Sequence, residues 1–163
     1  VCHGIPSKDV VLKDGDIINV DVSTILHGYF SDSSRMFIIG ETDPENEKLV
    51  KVARECVQAG LDQVKPWGLL GDVGAAVHEY AHAQGFSVVR EFGGHGIGLE
   101  CHEPPDVSAG SDAIAEPGMV FSIEPGIYLP GRTGVRIEDL VLVTETGCEV
   151  LNHVDKHWSV VGV

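Results

Sequence analysis

Positive charge is what this sequence has least of. Its 163 residues carry 11 lysines and arginines against 25 aspartates and glutamates, a formal net charge of −14. Nucleic-acid phosphates need a basic face, so the balance argues against that class of partner. It argues equally against an anionic membrane surface. No apolar run approaches a membrane span, and no signal peptide opens the chain. Cysteine is sparse: Cys2, Cys56, Cys101 and Cys148 lack the paired spacing of zinc-finger or redox motifs. They read as reduced thiols in a cytoplasmic protein. Internal repeats and low-complexity segments are absent. So is an initiator methionine: the chain opens on Val1-Cys2-His3-Gly4 and reads as a truncated piece. Its length suits a single domain, residues 1–163, with a sizeable core.

What the sequence does contain centres on residues 17–32. Ile18, Val20 and Val22 alternate with Asn19, Asp21 and Ser23, the period of a strand. His27-Gly28 fits a two-residue hairpin turn, with a second strand running through Arg35, Phe37 and Ile39. That turn sets Leu26 opposite Tyr29, Ser23 opposite Asp32 and Asp21 opposite Ser34. Asp32 then becomes the diagonal, same-face neighbour of Asp21, with Cβ atoms on the order of 7 Å apart. Either the two are solvated on an exposed hairpin, or a cation sits between them to relieve their repulsion.

Further along, Asp43 as N-cap, Pro44, and Glu45 and Glu47 in the first turn announce a helix whose apolar face is Leu49, Val52, Ala53, Cys56 and Val57. Pro66-Trp67-Gly68 breaks the chain. A second helix is expected from about Asp72 to Gln84, closed by Gly85. Ser87 to Arg90 reads as a strand, and Gly93 to Gly98 as too glycine-rich to be regular. Strands are expected at Met119–Glu124, Gly126–Tyr128, Val135–Thr144 and Glu149–Val150. Helices followed by mostly antiparallel strands make the fold class α+β.

His95 lies among four glycines, which permit close backbone approach to a ligand. His102 follows seven residues on. Glu124 ends an apolar strand, and Glu138 adjoins Ile137 and the run Leu140-Val141-Leu142-Val143. A carboxylate in such settings is unfavourable unless paired or metal-bound. Asp21, Asp32, His95, Glu124 and Glu138 are therefore five candidate ligands. Their four carboxylates balance two divalent cations, and one imidazole among oxygens suits Mn, Fe, Co or Zn. A rival is His78-Glu79-Tyr80-Ala81-His82, which matches the zinc-protease pattern H-E-x-x-H on the second helix. Its histidines flank the apolar face of Val73, Ala76, Val77 and Tyr80, and no third histidine follows at the extended spacing. That match reads as coincidence on a solvated face.

Cys2-His3-Gly4-Ile5-Pro6, Ile18-Asn19-Val20-Asp21-Val22, Gly28 to Arg35 and Gly94-His95-Gly96-Ile97-Gly98 resemble the methionine aminopeptidases. Phe121 to Tyr128 and Gly134-Val135-Arg136-Ile137-Glu138-Asp139 look more like Xaa-Pro aminopeptidase or prolidase. The chain as a whole resembles the pita-bread metallopeptidase superfamily, as a hybrid of its two branches. The resemblance implies a curved antiparallel sheet covered by helices, here without the family's N-terminal segment. It implies two divalent metal ions: Asp21 chelates the first, Asp32 and Glu138 bridge both, and His95 and Glu124 complete the second. Water attacks the first peptide bond while Glu124 moves its proton. His102 stabilises the oxyanion, and His3 lies near the second substrate residue. The substrates implied are the N-termini of peptides or nascent chains, with removal of methionine the leading expectation. Cys101 occupies a pocket position where a bulky residue would favour methionine. Xaa-Pro cleavage, a non-catalytic peptide-binding module and the H-E-x-x-H zinc protease are the alternatives.

Overall fold

The computed structural model describes residues 4–89, 93–155 and 159–162. Strands β1 (Ile17–Leu26) and β2 (Tyr29–Ile39) form the expected antiparallel hairpin. The register sets Leu26 against Tyr29, Ser23 against Asp32 and Asp21 against Ser34, as the turn requires. His27 (φ 52°) and Gly28 (φ 87°) both take the left-handed conformation that a tight hairpin turn demands. On its other side β2 pairs in parallel with β11 (Ser159–Val161).

The apolar alternation of β1 does not decide which face turns inward. Val20 and Val22 are 42% and 51% exposed, whereas Asp32, Ser34, Met36 and Ile38 on the opposite face of the sheet are buried. Strand β2 settles the matter, because Met36 and Ile38 lie with that face and Met36 joins the core. The acid-bearing face is thus the inner one.

Helix α1 (Pro44–Leu61) begins where Asp43 Oδ1 accepts the N–H groups of Glu45 and Asn46 at 2.9 and 3.0 Å. Those are two of the donors a helix start leaves unpaired. Helix α2 (Leu70–Ala83) starts two residues earlier than its pattern suggested and ends before Gln84 and Gly85, the latter at φ 89°. The helices bury Leu49, Val50, Val52, Ala53, Leu70, Val73 and Val77 in a core shared with Phe121, Ile123 and Ile127. Each of the larger of these side chains contributes on the order of 1.5–3 kcal/mol of transfer free energy. No helix among the described residues is long and apolar enough to cross a membrane.

The remaining strands are β3 (Ser87–Val88), β4 (His95–Gly96), β5 (Glu103–Asp106), β6 (Val120–Ile123), β7 (Gly126–Leu129), β8 (Thr133–Arg136), β9 (Asp139–Val143) and β10 (Cys148–Val150). They form a five-stranded sheet in the order β10-β9-β6-β4-β5 and a three-stranded sheet in the order β3-β7-β8. The β4 strand corrects the irregular loop expected there. Its glycines let neighbouring backbones close in: a Cβ at Gly94 would stand 2.0 Å from the Ser122 carbonyl oxygen, and one at Gly96 2.2 Å from that of Pro104. The single strand expected over Val135–Thr144 is likewise two. It breaks at Ile137-Glu138, where the chain passes from one sheet to the other and Glu138 makes an isolated antiparallel bridge to Ser34.

Candidate metal centre

Two strand ends and a hairpin converge on one small volume. One carboxylate oxygen from each of Asp21, Asp32 and Glu138 lies within 4.8 Å of the other two. Strand parity explains Asp21 and Asp32, and the bridge between Ser34 and Glu138 brings in the third. Asp21 is the exposed member; Asp32 and Glu138 are buried. Burial, then the charges of Glu124, Asp32 and Asp21, push the Glu138 carboxyl up to about 9. Asp32 is also raised, by burial and by Asp21, against hydrogen bonds from the Ser23 hydroxyl and the Ser33 N–H, both 3.1 Å from Oδ1.

Beside this triad stands a second group. His95 Nδ1 lies 3.0 Å from the Gly96 carbonyl oxygen. The carbonyl can only accept, so Nδ1 carries a proton there, while Nε2 lies 2.9 Å from Glu124 Oε1. A histidine whose outer N–H is tied to a backbone carbonyl is arranged as metal-binding histidines are. The Ser122 hydroxyl accepts the His95 backbone N–H at 3.0 Å and donates to Glu124 Oε1 at 2.7 Å. The Arg136 guanidinium reaches Glu124 Oε2 at 2.8 Å and also pairs with Asp21. Burial alone would raise the Glu124 carboxyl; His95, Ser122 and Arg136 outweigh it and hold the group below the usual range. Burial would lower His95, and Glu124 and the Gly96 carbonyl raise it instead.

The five candidate ligands therefore fall into two adjoining sets, Asp21–Asp32–Glu138 and His95–Glu124, joined by Arg136. His102 is exposed, its ring 4.2 Å from that of His95 centroid to centroid. Cys101 is partly buried, and its thiol is raised by burial and then by Asp32, with Glu138 and Asp21 adding to it. His3 lies outside the described residues. His78 and His82 stand 6.1 Å apart by ring centroid on α2, and among the described residues they join no group of three or more ligand-type side chains. The sequence reading assigned no role to Arg136 or Ser122. For Ser122 the available signal is parity, two residues before Glu124 on one expected strand; Arg136 ends β8 and has no such signal.

A metal fits these residues. Buried like charges crowd together until one of them holds a proton, and the donors are carboxylate oxygens with one imidazole, a set suited to divalent ions. Residues 1–145 match the Peptidase_M24 profile, metallopeptidase family M24. The chain belongs to metallopeptidase family M24. It is 45% identical over 172 residues to methionine aminopeptidase A of Synechocystis sp., covering 93% of this chain and 68% of that protein. Against the Haemophilus influenzae methionine aminopeptidase it is 45% identical over 174 residues, covering 65% of that protein. The chain thus spans about two thirds of the length of these curated relatives. Among solved structures, an Xaa-Pro dipeptidase from Bacillus anthracis superposes with a TM-score of 0.90 at 34% identity, over 98% of this chain and 45% of that one. Methionine aminopeptidase from Rickettsia prowazekii gives 0.83 at 34%, over 91% and 68%. The α+β architecture of this M24 chain is the pita-bread fold, and its kinship runs to both branches of the superfamily.

Proposed function

We propose that this chain is a catalytic domain, residues 1–163, of a dimetal aminopeptidase that removes methionine from the N-termini of peptides or nascent chains in the cytoplasm. The observation that carries the reading is the convergence of Asp21, Asp32 and Glu138 within 4.8 Å beside the His95–Glu124 pair. The likeness to methionine aminopeptidases at 45% identity supports the reaction. In this reading Asp21, Asp32, His95, Glu124 and Glu138 would together hold the two ions. Mn, Fe, Co or Zn suits such donors.

When bound, a pair of divalent ions supplies water activation and carbonyl polarisation. The chain's own residues supply the rest. Glu124, kept ionised by Ser122, His95 and Arg136, is free to take a proton from the attacking water and return it to the leaving amine. His95 is held in one tautomer by the Gly96 carbonyl. His102, exposed against the His95 ring, is placed to donate to the scissile carbonyl as charge develops there. His3 contributes to holding the second substrate residue.

One observation favours a second reading, Xaa-Pro cleavage: the TM-score of 0.90 with an Xaa-Pro dipeptidase exceeds the 0.83 with a methionine aminopeptidase. Metal analysis, with release of free amino acid from Met-Ala and Ala-Pro peptides, separates the possibilities. Methionine release dependent on Mn or Co supports the first reading. Cleavage confined to Ala-Pro transfers it to the second. Bound metal with peptide binding but no hydrolysis of either would make the chain a peptide-binding module.

A further inference from the structure

Asp32 and Glu138 reach the centre from different sheets. Asp32 belongs to β2, in the sheet β1-β2-β11; Glu138 immediately precedes β9, in the sheet β10-β9-β6-β4-β5. The carboxylates between them repel, and repulsion across the seam acts to part the two sheets. Ser34 and Glu138 are bridged there by backbone.

A second connection crosses the same seam. Asn152 lies just past β10, where the Leu151 N–H donates to the Leu140 carbonyl at 2.9 Å. Its side-chain amide then uses both ends. Nδ2 donates to the carbonyl oxygen of Asp32 at 3.0 Å, and Oδ1 accepts the N–H of Leu140. Leu140 follows Glu138 by two residues, so one planar amide ties the backbone of one shared carboxylate to the strand of the other. An amide is suited to this because it donates and accepts across a fixed width; a carboxylate can only accept, and a hydroxyl spans less.

We propose that Asn152 is a positioning residue of the metal centre, its side chain setting the separation of Asp32 and Glu138 across the seam between the sheets. The inference rests on the dimetal reading above. It assigns Asn152 no contact with substrate or metal.

The test uses the 163-residue chain, with Mn2+ titrated calorimetrically and Co2+ absorption read in the visible. Asn152→Leu removes both hydrogen bonds while keeping the branched heavy-atom skeleton. Asn152→Asp keeps the acceptor for Leu140 and loses the donor to Asp32. Both variants are expected to melt cooperatively, to bind Mn2+ about 10-fold or more weakly, and to give an altered Co2+ spectrum, as when an outer-shell partner of a ligand is removed. Wild-type Mn2+ affinity and an unchanged Co2+ spectrum in both variants would overturn the inference while leaving the dimetal reading intact. A wild-type chain that binds neither Mn2+ nor Co2+ would overturn both. If neither variant folds, Asn152 is a determinant of the fold and the positioning role falls.

Discussion

Arg136 Nη1 lies 2.8 Å from Glu124 Oε2, and the same guanidinium pairs with Asp21. Its side chain is 19% exposed and that of Glu124 10%, so the charges meet with little solvent between them. Arg136 thus supplies positive charge inside a carboxylate cluster, joining the two halves of the candidate centre. It adds to His95 and Ser122 in holding Glu124 below its usual range, and it opposes the burial and acidic neighbours that push Glu138 up.

Arg136→Gln removes that cation and leaves buried carboxylates uncompensated. Breaking a buried pair in this way typically destabilises by about 3–5 kcal/mol. The expected outcome is a metal-free variant that melts at least several degrees below wild type, with much of the deficit recovered on adding Mn2+. Thermal melts with and without metal check it; equal melting of the two metal-free proteins would show that Arg136 is not a counter-ion.

The metal-free chain should lose stability as pH rises from 5 to 8. Glu138 is raised from 4.5 to about 9, and Asp32 and His95 are also raised. Groups raised on folding bind more protons in the native state, so their contribution is present at low pH and declines as pH climbs towards the folded values. Glu124, lowered on folding, acts the opposite way, but only as pH falls below its ordinary range near 4.5. Bound Mn2+ or Co2+ should flatten the trend by replacing the protons. If chelator shifts the melting temperature by less than about 2 °C at pH 7.5, where 1 kcal/mol corresponds to about 2–4 °C for a chain of this length, the carboxylates are not a shared metal site.

His78→Ala and His82→Ala should leave metal content and peptidase activity near wild type, whereas His95→Ala should remove at least one ion. The first two lie on α2 outside the group formed by Asp21, Asp32 and Glu138, while His95 Nε2 is 2.9 Å from Glu124. Metal analysis after dialysis decides between them. Complete loss of metal in the His78 variant would restore the H-E-x-x-H reading.

Gly94→Ala should be far more damaging than Gly98→Ala. The new Cβ at position 94 would meet the Ser122 backbone oxygen at 2.0 Å, so β4 and β6 must part and the His95 N–H must leave the Ser122 hydroxyl. Overpacking against backbone costs about 1–3 kcal/mol or more. At Gly98 the nearest atom, at 2.9 Å, is the flexible end of Glu103, which can swing aside. Chemical denaturation and metal content of the two variants give the comparison; similar losses at both would contradict the close strand packing.

Local physics made much of this protein readable. The two left-handed residues at the hairpin turn set the register, and a strand's period of two then places Asp21 and Asp32 on one face. The N-cap at Asp43 and the apolar stripe of α1 follow from nearest-neighbour hydrogen bonding and helical periodicity in the same way. The candidate ligands could be picked out too: Asp21 and Asp32 from hairpin register, His95 from its glycines, and Glu124 from its place at the end of an apolar strand.

What only the tertiary structure decided was how separate pieces meet. The alternation of β1 is the same whichever face turns inward, and the packing of Met36 and Ile38 chose the acidic one. The break at Ile137-Glu138 carries no glycine or proline to mark it; the strand divides because its two halves belong to different sheets. Arg136 between Glu124 and Asp21, and Asn152 between Asp32 and Leu140, are contacts between residues far apart in the chain. Periodicity fixes which side of its own element a residue occupies, but it holds no information about which element lies across from it. That depends on the packing of all the elements together, and this is where the separation of the carboxylates is set.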